Sequence, residues 1–92
     1  DADDQLRRAV IEQIICHFQL DFAEFGNRHA LDFRRYFAHE LAALAPMEQD
    51  GLLKVDDDAI RVRPKGRLLI RNICMVWDRY LPRTEAVYSR AI

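Results

Sequence analysis

LKVDDDAIRVRPKGRLLIRNICMVWDRYL, from Leu53 to Leu81, holds two hydrophobic periods in one run, and the change between them decides the fold. Leu53 and Val55 alternate with Lys54, three aspartates follow, and Ile60 and Val62 alternate with Arg61 and Arg63. A period of two on both sides of a short polar stretch predicts a β-hairpin with an acidic tip. From Pro64-Lys65-Gly66 onward the period lengthens to that of a helix. One long closing helix is expected over residues 66–81, ended by Pro82, which has no amide proton to continue it. At about 100° per residue, Val76, Leu69, Tyr80, Ile73, Trp77, Ile70, Leu81 and Cys74 cover one continuous side of that helix. Arg67, Arg71 and Asp78 form a narrow polar stripe opposite, with Leu68 and Met75 beside it and outside the apolar arc. A helix apolar over so much of its girth is seldom half exposed to water. The outward Leu68 and Met75 therefore point to a second surface lying against it.

Upstream of the hairpin the pattern is helical. Leu6, Val10, Ile14 and Phe18 fall at four-residue steps, with Ile11 and Ile15 widening the stripe, so residues 3–18 read as an amphipathic helix capped by Asp3 or Asp4. Asp21 is placed to cap a short second helix that Gly26 or Asn27 ends. A third begins at Asp32, with Phe33, Phe37, Leu41 and Leu44 facing inward and Ala38 and Ala45 allowing a neighbour close. Pro46 fits the first position of a further turn closed by Gly51 in a left-handed conformation. Three helices, a hairpin and a long closing helix give an α+β class, mainly helical, with a winged-helix-like layout. The 92 residues suit one domain. The chain opens Asp1-Ala2-Asp3-Asp4 without an initiating Met and is expected to be a piece of a longer protein, with residues 84–92 as a tail of unassigned structure.

Composition narrows the function classes. Fourteen basic residues against fifteen acidic leave a net charge of −1, so no global field draws the chain to nucleic acid or to an acidic membrane. No stretch is apolar and long enough to span a bilayer. Cys16 and Cys74 stand 58 positions apart in helical apolar patterns and read as free buried thiols in a reducing cytoplasm. His17, His29 and His39 lie on different elements without HxxxH or CxxC spacing, so no metal site is expected. Asp56-Asp57-Asp58 offers carboxylates, but a solvated hairpin tip gives no burial or coupling to separate their pKa values, and a soluble turn is the plainer reading. Neither cysteine has a neighbouring base, and no nucleophile-elbow, Gly-rich or Walker pattern occurs. No catalytic, cofactor-binding or metal-ligating residue is therefore assigned in this chain.

The basic run stands above this background. Arg61, Arg63, Lys65, Arg67 and Arg71 fall within eleven residues that contain no acid. A solvated face is the plain explanation; an anion site is the sharper one, because Arg forks match carboxylates bidentately. DNA fits poorly, since the would-be wing tip carries three aspartates and the third helix offers little beyond Arg34 and Arg35 to read base edges.

The runs IEQIICHFQLDF, DFRRYFAHELAALAPMEQDGLL, DDDAIRVRPKGRLLIRNICMVWDRYL and YSRAI resemble the end of the oxygen-independent coproporphyrinogen III oxidase family, most specifically in GRLLIRNICM from Gly66 to Met75. The resemblance extends from about Gln5 to Ile92. Thr is more usual where Arg63 stands and Phe where Trp77 stands, and a related radical enzyme that handles haem shares a looser form of the pattern. The resemblance implies an enzyme of haem biosynthesis that oxidatively decarboxylates two propionates of coproporphyrinogen III to give protoporphyrinogen IX. It also implies S-adenosylmethionine and a [4Fe–4S] cluster held by a CxxxCxxC motif in an amino-terminal barrel; that motif is absent here, so neither cofactor is carried over to this chain. What carries over is a non-catalytic C-terminal domain with that barrel as its partner, covering the open face against water and dioxygen. Arg67, Arg71, Leu68 and Met75 become candidate contacts with substrate carboxylates or with the barrel. The alternatives are a winged-helix DNA-binding module and a protein–protein interaction module.

Overall fold

The computed structural model describes residues 1–78, and expectations for Tyr80, Leu81, Pro82 and the tail lie outside them. The first helix, α1, spans Ala2–His17. Its cap is Asp1, two residues earlier than expected, whose side chain accepts from the Asp4 amide at 2.8 Å. Phe18 ends it in the left-handed region (φ 56°) with its amide donating to the Ile14 carbonyl. That conformation is unfavourable for a residue with a Cβ, and it turns the chain sharply into a strand.

That strand, β1 (Gln19–Asp21), was not foreseen. Only Leu20 of its three residues is buried, so no alternation long enough to read exists. Asp21 then caps α2 (Phe22–His29), accepting from the Glu24 amide at 2.9 Å. The helix runs past Gly26 and Asn27 to a left-handed Ala30. Gly26 does not stop it; a Cβ there would lie 2.4 Å from the Leu31 carbonyl oxygen. The expected third helix is two pieces, α3 (Phe33–Tyr36) and α4 (Ala38–Ala43), broken at Phe37. Ala38 and Ala45 face solvent and admit no close neighbour. α5 (Ala45–Gln49) carries Pro46 in its first turn, and Gly51 follows at φ 79°.

The hairpin forms as expected, β2 (Leu53–Val55) against β3 (Ala59–Val62), with Leu53 opposite Val62 and Val55 opposite Ile60. β1 adds antiparallel on the far side of β3, giving the order β1-β3-β2. The core joins this sheet to the helices through Val10, Ile14, Leu20, Phe33, Phe37, Leu44, Ile60, Ile73 and Trp77, each at most 1% exposed. Phe33 is its hub, 4.9 Å from the Phe22 ring, 5.3 Å from Phe25 and 5.0 Å from Phe37. Each such buried side chain stabilises the fold by about 1.5–3 kcal/mol.

The closing segment departs from expectation. It is three short pieces, α6 (Pro64–Arg67), α7 (Ile70–Cys74) and a 3-10 turn (Met75–Trp77), with extended backbone at Asp78. Two anchors pull it in different directions. Gly66 presses on β2's entry so closely that a Cβ would fall 1.9 Å from the Leu52 carbonyl oxygen. Ile73, Cys74 and Trp77 must meet α1 instead, and a turn at Leu68–Leu69 reconciles the two. The α+β, mainly helical class stands; the single long helix does not.

Candidate functional site

The turn between α6 and α7 presents the most unusual surface among the described residues. Leu68 is 86% exposed and Leu69 42%, whereas Ile70 turns inward onto the core. Leu69 belonged to the predicted apolar face, and the backbone break (φ −116°, ψ 31°) carries it out to solvent. Met75, expected to point outward beside Leu68, is half-buried, in a 3-10 turn that packs near α1 and α4. The outward apolar pair is therefore Leu68 and Leu69.

The basic run divides into paired and unpaired members. Arg61 forms an ion pair with Asp56 and lies 3.9 Å from Asp58, so the acidic tip neutralises it. Lys65 donates to the Asp50 carbonyl at 3.1 Å. Arg63, Arg67 and Arg71 are exposed and form no ion pair among the described residues. Arg67 lays its guanidinium 4.6 Å from the Phe18 ring centroid, a cation–π contact. Arg67 and Arg71 flank the exposed leucines along the chain, but the break between α6 and α7 removes the straight stripe that was to align them.

The other candidates are structural. At the hairpin tip the Asp56 and Asp57 carbonyls accept from Arg34 at 2.9 and 3.3 Å, tying the tip to α3. His29 packs on Phe25 at 4.3 Å, and His17 and His39 face solvent. Cys16, expected to be buried, is exposed near the end of α1, because the stripe turns its other edge to the core. Cys74 is buried, its thiol directed at the Ile11 carbonyl at 4.0 Å, and desolvation pushes its pKa up to about 11. Among the described residues no group of three or more His, Cys, Asp or Glu is placed to hold a metal ion.

One residue of weight escaped the sequence reading. Arg7 reaches Asp3 at 2.9 Å, Glu40 at 2.8 Å and the Trp77 carbonyl at 3.4 Å, over the Phe37 ring. Burial opposes its charge, but the hydrogen bonds to the two carboxylates outweigh that and raise its pKa. The i, i+4 spacing from Asp3 is visible in the sequence, but nothing there points to Glu40 or to the Trp77 carbonyl.

Among the described residues, the exposed side chains that stand out in this small α+β domain are guanidinium groups without ion-pair partners and the apolar Leu68 and Leu69. The chain belongs to the HemN C-terminal domain family, whose model matches residues 1–69. It is 53% identical to the oxygen-independent coproporphyrinogen III oxidase of Escherichia coli K12 over 98% of its length and 20% of the relative's. The enzyme of the same name from Pseudomonas aeruginosa is 48% identical over 99% of this chain and 20% of its own length. Among solved structures, the coproporphyrinogen III oxidase HemN from Escherichia coli, described as a radical SAM enzyme, superposes with a TM-score of 0.84 at 51% identity, over 88% of this chain and 19% of that one. The chain thus spans about a fifth of the length of the relatives it matches.

The radical SAM description raises a cluster and S-adenosylmethionine, and the residues here do not fit them. Cluster ligands are thiolates, whereas burial holds Cys74 in its neutral form. Cys16 stands alone on the surface of another helix. No step of that chemistry is derived from this chain.

Proposed function

We propose that this chain is the non-catalytic C-terminal domain of an enzyme that converts coproporphyrinogen III to protoporphyrinogen IX in haem biosynthesis, and that it lies over the open face of an amino-terminal radical SAM barrel. The match over 98% of the chain to a relative of that name carries the reading. A cover of this kind excludes water and dioxygen from a radical intermediate. The barrel would supply the cluster and S-adenosylmethionine, and the cytoplasm is the compartment this implies.

Within that reading, Arg67 and Arg71 are the cations offered to a substrate bearing several carboxylates. Their lack of ion-pair partners among the described residues supports this role, since a guanidinium already paired within the domain would have less to gain. The test is Arg67→Ala and Arg71→Ala, singly and together, in the full-length enzyme under anaerobic conditions. The double variant should raise KM for coproporphyrinogen III roughly tenfold, the factor that corresponds to about 1.4 kcal/mol. KM and turnover unchanged from wild type would exclude the substrate contact.

A further inference from the structure

The contacts between α1 and the closing segment fix a register that gathers exposed apolar side chains at one end of the molecule. Arg7 bonds the Trp77 carbonyl, Cys74 meets the Ile11 carbonyl, and Arg67 lies over Phe18. Rising numbers on α1 therefore meet falling numbers on the closing segment. Ile15 lies between Ile11, which meets Cys74, and Phe18, which meets Arg67, so this register assigns it to the end of α1 nearest the Leu68–Leu69 turn. Ile15 (46%), Leu68 (86%) and Leu69 (42%) are three of the four most exposed large apolar residues described, and the fourth, Tyr36, is on α3. Scattered single leucines on a surface need no explanation; three gathered at one end do. Phe18 adds a half-buried ring beneath Arg67.

We propose that this end, Ile15 with Leu68 and Leu69, is the surface by which the domain seats against the longer part of its enzyme, that the counterpart is an apolar recess edged by carboxylates facing the basic flank, and that Arg67 and Arg71 at its border stay open to the substrate. The inference rests on the two-part enzyme proposed above. Charge selects the occupant. The flanking stretch from Ala59 to Trp77 contains no acid, so an acidic rim on the partner would pair with it, while a second copy would bring like charges together. Length agrees: roughly four-fifths of each relative lies outside the matched segment, enough chain to build such a recess. Glu12, one turn before Ile15, is the nearest acid along α1 and sits outside the apolar group.

Hydroxyl-radical footprinting with mass spectrometry, on the 92-residue chain and on the full-length enzyme that carries it, tests this directly. Oxidation of Leu68 should drop about fivefold or more in the full-length enzyme, as for a side chain passing from 86% exposure into an interface core. Ile15 and Leu69 should follow. Equal oxidation of these three in both proteins, with protection on another face such as Tyr36, overturns this surface and leaves the two-part enzyme standing. Equal oxidation over the whole domain removes the two-part reading itself. Protection in the isolated chain that vanishes on dilution would assign the face to a second copy, and protection only with phosphatidylglycerol vesicles would assign it to a lipid surface; either overturns the proposal.

Discussion

Cys74 shows how one side chain carries a pH dependence. It is 6% exposed in contact with α1, and desolvation raises its thiol from about 9 to about 11. Between those values the unfolded chain has released the proton and the folded chain has kept it. The unfolded state then binds fewer protons, so stability falls as pH rises. The contribution is whole below pH 9 and is lost as the pH climbs towards 11. Urea midpoints between pH 8 and 11 should fall more steeply for wild type than for Cys74→Ala, and parallel slopes would remove the thiol as the cause. Trp77 makes the opposite case. Its ring fills the centre of the core, yet Nε1 has no hydrogen-bond partner among the described residues. Phe at this position would occupy most of that space without an orphaned donor. These burials were half legible: the helical period placed Cys74 and Trp77 inward, but it placed Cys16 inward too.

At the level of elements, the closing segment shows how local signals lose to tertiary demands. Nothing between Gly66 and Leu81 forbids a continuous helix, and apolar periodicity favours one. The break arises because Gly66 is pinned to the Leu52 carbonyl while Ile73 and Trp77 are pinned to α1 and α4. The consequence is measurable. Leu68→Ala should change stability by no more than about 0.5 kcal/mol, as for other exposed positions. Ile73→Ala should cost about 2–5 kcal/mol, the range for a large buried aliphatic. Urea unfolding of both variants checks this, and a Leu68→Ala loss near that of Ile73→Ala would mean the turn is packed. The caps at Asp21 and Asp32 and the hairpin were readable, because each depends on residues within a few positions. β1 was not, since three residues hold too little alternation and its pairing partner lies forty residues ahead.

For the whole molecule, charge distribution separates the possible partners. The hairpin tip, which would meet a nucleic acid backbone, carries Asp56, Asp57 and Asp58, and the two cations that reach it, Arg61 and Arg34, are engaged by the tip's own carboxylates and carbonyls. Arg67 and Arg71, which form no ion pair among the described residues, instead border the apolar Leu68–Leu69 turn along the chain. Fluorescence anisotropy with a labelled duplex in 50 mM salt should show no association tighter than about 1 μM, whereas micromolar binding lost steeply between 50 and 200 mM salt would restore the DNA reading. The candidate surface was legible in part. Leu68 fell outside the apolar arc on any helical reading, so its exposure was foreseen. Ile15 and Leu69 were counted among core-facing residues, and only the α1 register brings them beside it.

The sequence by itself determined the helix starts at Asp21 and Asp32, the hairpin, the burial of Phe33 and Phe37, and the family, because each depends on neighbouring side chains or on residue identity alone. The tertiary structure decided the third strand, the fracture of the closing helix, the reach of Arg7 to Glu40 and Trp77 and the gathering of exposed apolar residues at one end. The physical reason is distance along the chain: these features arise from contacts between segments tens of residues apart, where close packing and limited space outweigh local preference.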